Sequence, residues 1–143
     1  MAENSVVKES LTNAMIRAGA ELTKKLDELQ WPVLASFWLY GSEGNQWKLL
    51  LASPRVTVDG PKRSYEMIQS ALAAIPDAKG ALALSDIGVT DPDNPLIALL
   101  CVGIGAGPAV GGIRFTRNVI NGRFIEDAYI YRMPVTPPTE KAV

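Results

Sequence analysis

Asn121 and Gly122 constrain this fold more than any other pair of residues. They lie between two runs of strand character, IRFTRNVI (113–120) and RFIEDAYIYR (123–132). Asn-Gly is the strongest two-residue hairpin signal, because both residues tolerate the positive φ of a type I′ turn. Counting outward, Ile120 opposes Arg123, Val119 opposes Phe124, Asn118 opposes Ile125 and Arg117 opposes Glu126. Thr116 then meets Asp127, Phe115 meets Ala128, Arg114 meets Tyr129 and Ile113 meets Ile130.

Alternation sorts these side chains onto two faces. The first carries Ile113, Phe115, Arg117, Val119, Phe124, Glu126, Ala128 and Ile130. It is apolar except for Arg117 and Glu126, which sit opposite each other. The pair reads either as a partly exposed cross-strand bridge or as the lining of a pocket where an anion competes for Arg117. The second face carries Arg114, Asn118, Asp127, Tyr129 and Tyr131, among others. Amphipathic aromatics beside a planar cation are the composition of a recognition surface, with Arg114 able to stack on Tyr129. The plainer reading is a solvated sheet face. These seven residues, Arg114, Arg117, Asn118, Glu126, Asp127, Tyr129 and Tyr131, are the candidate binding residues.

Upstream, Val7 to Leu29 carries Leu11, Met15, Ala18, Leu22 and Leu26 at spacings of three and four, which predicts one long amphipathic helix ending before Pro32. Its stripe suits packing on a sheet, and its near-heptad spacing also suits a helix pair. Val33–Tyr40 and Trp47–Ser53 read as strands joined by the polar loop GSEGNQ. Arg55 to Asp59 reads as an extended connection. A second helix is expected from Pro61 to Ile75, a short central strand at Ala81–Ser85, and turns over DIGVTDPDN (86–94). Asp93 or Asn94 before Pro95 predicts a third, buried helix to about Gly103.

The expected order is α-β-β-α-β-α-β-β: one α+β domain over residues 1–134, with a mostly antiparallel five-stranded sheet and helices mainly on one face. Residues 135–143 read as a disordered tail. The element order is broadly similar to that of GAF, PAS and related sensor-like domains, an analogy that carries no function by itself.

Composition narrows the chemistry. The 143 residues contain no histidine and one cysteine, Cys101. That removes histidine-activated nucleophiles, histidine-ligated metals and thiolate-rich metal sites. No metal site or cofactor is expected from a motif. DPDN (91–94) lacks the glycine and terminal glutamate of a calcium loop and reads as helix capping. The glycine-rich run CVGIGAGPAVGG (101–112) leads into a strand instead of a helix, which disfavours nucleotide binding. Residues 95–113 carry no charge, but Pro108 and five glycines argue against a membrane span. Fourteen basic against fifteen acidic residues give no general pull toward nucleic acid. A polar N-terminus without an apolar signal core and the single cysteine fit the cytoplasm.

The reading that follows is a non-catalytic ligand-binding or protein-interaction module that self-associates or takes a protein partner, with a small anionic ligand as a further option. One rival is a histidine-free hydrolase or nuclease using carboxylates and Mg²⁺, which requires acidic residues converging in one cleft. The other is single-stranded nucleic-acid binding, by stacking bases on the arginines and tyrosines of the hairpin.

Overall fold

A computed structural model describes residues 10–41, 46–75, 81–104, 112–120 and 122–133, with the backbone alone for 101–104, 113, 115, 117, 118, 120 and 123. The first nine residues and the expected tail lie outside the described residues. The elements are α1 (Asn13–Glu28), β1 (Ala35–Gly41), β2 (Gln46–Ala52), α2 (Arg55–Ala73), β3 (Ile87–Thr90), α3 (Pro95–Ile104), β4 (Ile113–Ile120) and β5 (Arg123–Arg132). Over the described residues the fold is α+β, with three α-helices and a single mixed sheet in the order β3-β2-β1-β5-β4.

The sheet is built from two hairpins laid side by side. β1 pairs antiparallel with β2, with Trp38 opposite Leu49 and Tyr40 opposite Trp47. β4 pairs antiparallel with β5 in the register counted from Asn121-Gly122, including Arg114 with Tyr129 and Val119 with Phe124. Gly122 supplies the positive φ, at 80°. The seam between the hairpins is antiparallel β1–β5, with a register shift between Ser36 and Phe37. Phe37 faces Ile130 while Ser36 faces Arg132, so Tyr131 is the extra residue of a bulge.

The third strand corrects the expectation. Residues Ala81–Ser85 are not a strand. The Asp86 carboxylate accepts the Ala83 N–H at 3.0 Å, and Leu84–Asp86 closes a 3₁₀ turn. This local bond outcompetes extended pairing. The strand starts at Ile87, inside the segment that reads as turns, and pairs parallel to β2 at the sheet's edge instead of its centre.

The helices also divide differently. α1 and α2 cover one face, where Leu22, Leu26, Ile68 and Ala71 pack with Trp38, Leu49, Leu51, Ile87 and Tyr131. α3 covers the other, where Ile97 and Leu100 pack with Phe37, Ala52, Ala128, Ile130 and Met133. Helices therefore lie on both faces, two against one. Ala18, Leu22 and Leu26 of the α1 stripe are buried in this core, Leu11 and Met15 are partly buried against it, and Leu29 is exposed.

Local chemistry explains the helix ends. Thr12 Oγ1 accepts the Met15 N–H at 3.1 Å and caps α1. At the other end the Trp31 N–H reaches Leu26 O, and the Gln30 N–H reaches Asp27 O, both at 3.0 Å. That is a Schellman closure with Gln30 at φ 63°, where glycine is the usual residue. Residues Arg55–Asp59, expected to be extended, form a helical turn instead. Ser53 Oγ accepts the Arg55 N–H at 3.1 Å, and Arg55 holds Asp59 through two bonds of 3.1 and 2.9 Å. Gly60, at φ 87°, kinks the helix before Pro61 restarts it. Asn94 Oδ1 accepts the Leu96 N–H at 2.9 Å, so the DPDN segment caps α3.

Candidate functional site

The tyrosine-bearing face of β5 turns inward under α1. The Tyr131 hydroxyl donates to Ile16 O at 2.5 Å and accepts from Trp38 Nε1 at 2.9 Å. Burial pushes this phenol above the ordinary tyrosine range, against the hydrogen bond from Trp38. Gly19 makes the close approach possible, because a Cβ there would collide with the Tyr131 hydroxyl and Trp38 Nε1. Tyr129 is half-buried and meets Tyr131 edge-on, with ring centroids 5.3 Å apart. At Tyr131 the face expected to be solvated or to bind a partner docks under α1, and Tyr131 is a core residue, whereas Arg114 and Thr116 on the same face are exposed.

Where α1 no longer covers the face, an ion pair borders the core. Arg114 donates from Nε and Nη2 to the two carboxylate oxygens of Asp127, at 2.6 and 2.9 Å. The Asp127 side chain is 3% exposed and that of Arg114 45%. The hydrogen bond to Asp127 holds the guanidinium pKa above its usual value, against the cost of partial desolvation. The ring beneath Arg114 is Trp47, 5.5 Å from the guanidinium carbon, and not the expected Tyr129. Tyr40 supports Trp47 edge-on at 5.5 Å. These two aromatics were not among the sequence candidates. The available signal was the first hairpin, whose register sets Tyr40 opposite Trp47.

The other face of the second hairpin changes along its length. Ala128 and Ile130 are buried against the α3 side, whereas Val119 is 62% exposed and Phe124 56%. Ile125 departs from the simple alternation, being buried in the α3-side core and not beside Tyr129. Glu126 is half-buried. The register flanking Arg117, Thr116 with Asp127 and Asn118 with Ile125, leaves Arg117 across from Glu126. The side chains of Arg117 and Asn118 lie outside the described residues. Of the seven candidates, then, Arg114 and Asp127 are joined directly, Tyr129 and Tyr131 touch each other, and Glu126 belongs to the opposite face.

A surface groove of about 380 Å³ lies elsewhere, between Trp31 and the Asp59, Arg63, Glu66, Met67 and Ser70 side of α2. Asp59 is already paired with Arg55 there. Asp91 accepts from the Thr57 hydroxyl and, at 2.8 Å, from the Asp93 N–H; both bonds lower its pKa. Among the described residues no three of His, Cys, Asp or Glu come together as a metal-binding group. No described helix is long and apolar enough to cross a membrane.

The fold and these contacts define an α+β protein whose polar side chains mostly lock elements together. No family model, no curated protein and no solved structure matches the chain, and the analogy with GAF and PAS domains gains no support from them.

Proposed function

We propose that the chain is a non-catalytic interaction module that self-associates through the far end of the β4–β5 hairpin. The observation that carries this reading is the cross-strand pair Val119 and Phe124, largely exposed on the face whose Ala128 and Ile130 are core. Large apolar side chains side by side on a β-surface favour a partner that removes them from water.

The described contacts disfavour the rivals. A stacking platform for single strands needs accessible rings, and Tyr131 is 2% exposed beneath α1. A carboxylate–Mg²⁺ centre needs converging acids, and Asp59, Asp86 and Asp91 are each engaged in a different local turn or pair. A small anion at Arg114 must compete with a carboxylate already bound through two hydrogen bonds.

Light scattering across a concentration series tests the proposal. The weight-average mass is expected to rise from one chain toward two by high micromolar concentration. A single-chain mass throughout removes the reading.

A further inference from the structure

The sheet has two edges, and the chain closes only one of them within its described residues. β3 is four residues long, α2 packs alongside it, and the Val89 N–H donates to the Tyr65 hydroxyl at 3.4 Å. β4 is eight residues long and pairs with β5 on one side and with no described residue on the other. It contains no proline and no lysine, and its register with β5 shows no bulge. Of the devices that keep a sheet edge from pairing with another chain, β4 lacks short length, proline, lysine and a bulge, while it carries Arg114 and Arg117 and α3 packs against it. One of its charges, Arg114, is drawn inward onto Asp127.

We infer that a second copy of this chain adds along β4, antiparallel, so that two five-stranded sheets join across a two-fold axis. The inference rests on the self-association reading and specifies its geometry. An antiparallel strand edge is its own complement: a half-turn brings each outward N–H to an outward C=O. The pleat allows only registers in which residues of one face meet the same face of the partner. Two such registers are centred on β4. Centring on Arg117 sets that cation against its own counterpart, which disfavours the pairing. Centring on Thr116 sets Thr116 opposite itself, Arg114 opposite Asn118 and Ile113 opposite Val119, with no like charges facing. The exposed Val119 then gains an apolar neighbour across the joint.

Two measurements on the full chain decide the matter. In amide exchange by NMR, every second β4 amide is expected to slow by about tenfold or more as concentration rises, while β3 amides stay unchanged. In a Cys101→Ala background, Thr116→Cys is expected to form a disulfide-linked dimer under mild oxidation, and Val58→Cys, at a 71% exposed position, is not. A dimer by light scattering with unprotected β4 amides and no Thr116→Cys cross-link overturns the edge inference and leaves self-association standing. A monomer throughout overturns both. Concentration-independent protection of the β4 amides also overturns the inference, since the edge is then covered by its own chain.

Discussion

The two edges of the sheet differ in how their backbone groups are handled. At β3 the strand is short, and a tyrosine from the helix beside it meets an outward amide. At β4 the strand is twice as long, and its Arg114 is drawn onto Asp127. Among the described residues one edge is closed, and the other has no strand beside it. On the proposed reading, stability and association are written in separate residues, so each is expected to change without the other.

The largest expected effect is at the hairpin end. Phe124→Asp places a charge in the exposed Val119–Phe124 pair that carries the self-association reading and should weaken self-association by about tenfold or more. Because Phe124 is more than half exposed, the melting temperature of the dilute monomer should barely move. Thermal unfolding and light scattering on the same samples separate the two outcomes, and a large loss of monomer stability breaks the comparison.

Next is Asp127→Ala. It removes the buried acceptor of both Arg114 bonds and should cost about 1–3 kcal/mol, measured by urea unfolding. An unchanged unfolding free energy would mean that the ion pair does not hold β4 against β5.

Tyr65→Phe tests the closed edge. Loss of the long bond to the Val89 N–H should cost about 0.5–1 kcal/mol. Exchange at Val89 should quicken while β4 is unaffected. If β4 exchange quickens equally, the two edges are coupled and the contrast fails.

The smallest effect lies away from both edges. Gln30 occupies a left-handed position, so Gln30→Gly should stabilise by a few tenths of a kcal/mol to about 1 kcal/mol, with association unchanged. Destabilisation would show that the Gln30 side chain has a role that its backbone position does not reveal.

Much of this fold was readable from local chemistry. The Asn-Gly turn fixed the β4–β5 register, and the amphipathic stripe of α1 and the Asn94-Pro95 cap placed two helices. The misreadings share a physical cause: each was decided by competition between local and distant bonds. ALALS (81–85) has strand composition but follows the Asp86 turn, while IGVT has weak local signals and pairs because β2 offers an edge. Which face a helix covers depends on chain crossings, which periodicity does not encode. Tyr131 has the same amphipathic character in a docking surface and in a core, and only Gly19, far away in sequence, settles which. At the candidate site, the Arg114–Asp127 pairing is a diagonal within the counted register, but Trp47 enters through the β1–β5 seam, which no turn signal specifies.

That seam has a consequence for how the protein is made. β1 sits between β2, its immediate successor, and β5, whose Tyr129 lies opposite Trp38. On the ribosome, β1 therefore has one partner early and its second only when almost all of the described chain has emerged. Until then its far side is an unpaired border, one that no longer exists in the finished molecule. During synthesis, then, β1 is open to pairing with a wrong neighbour.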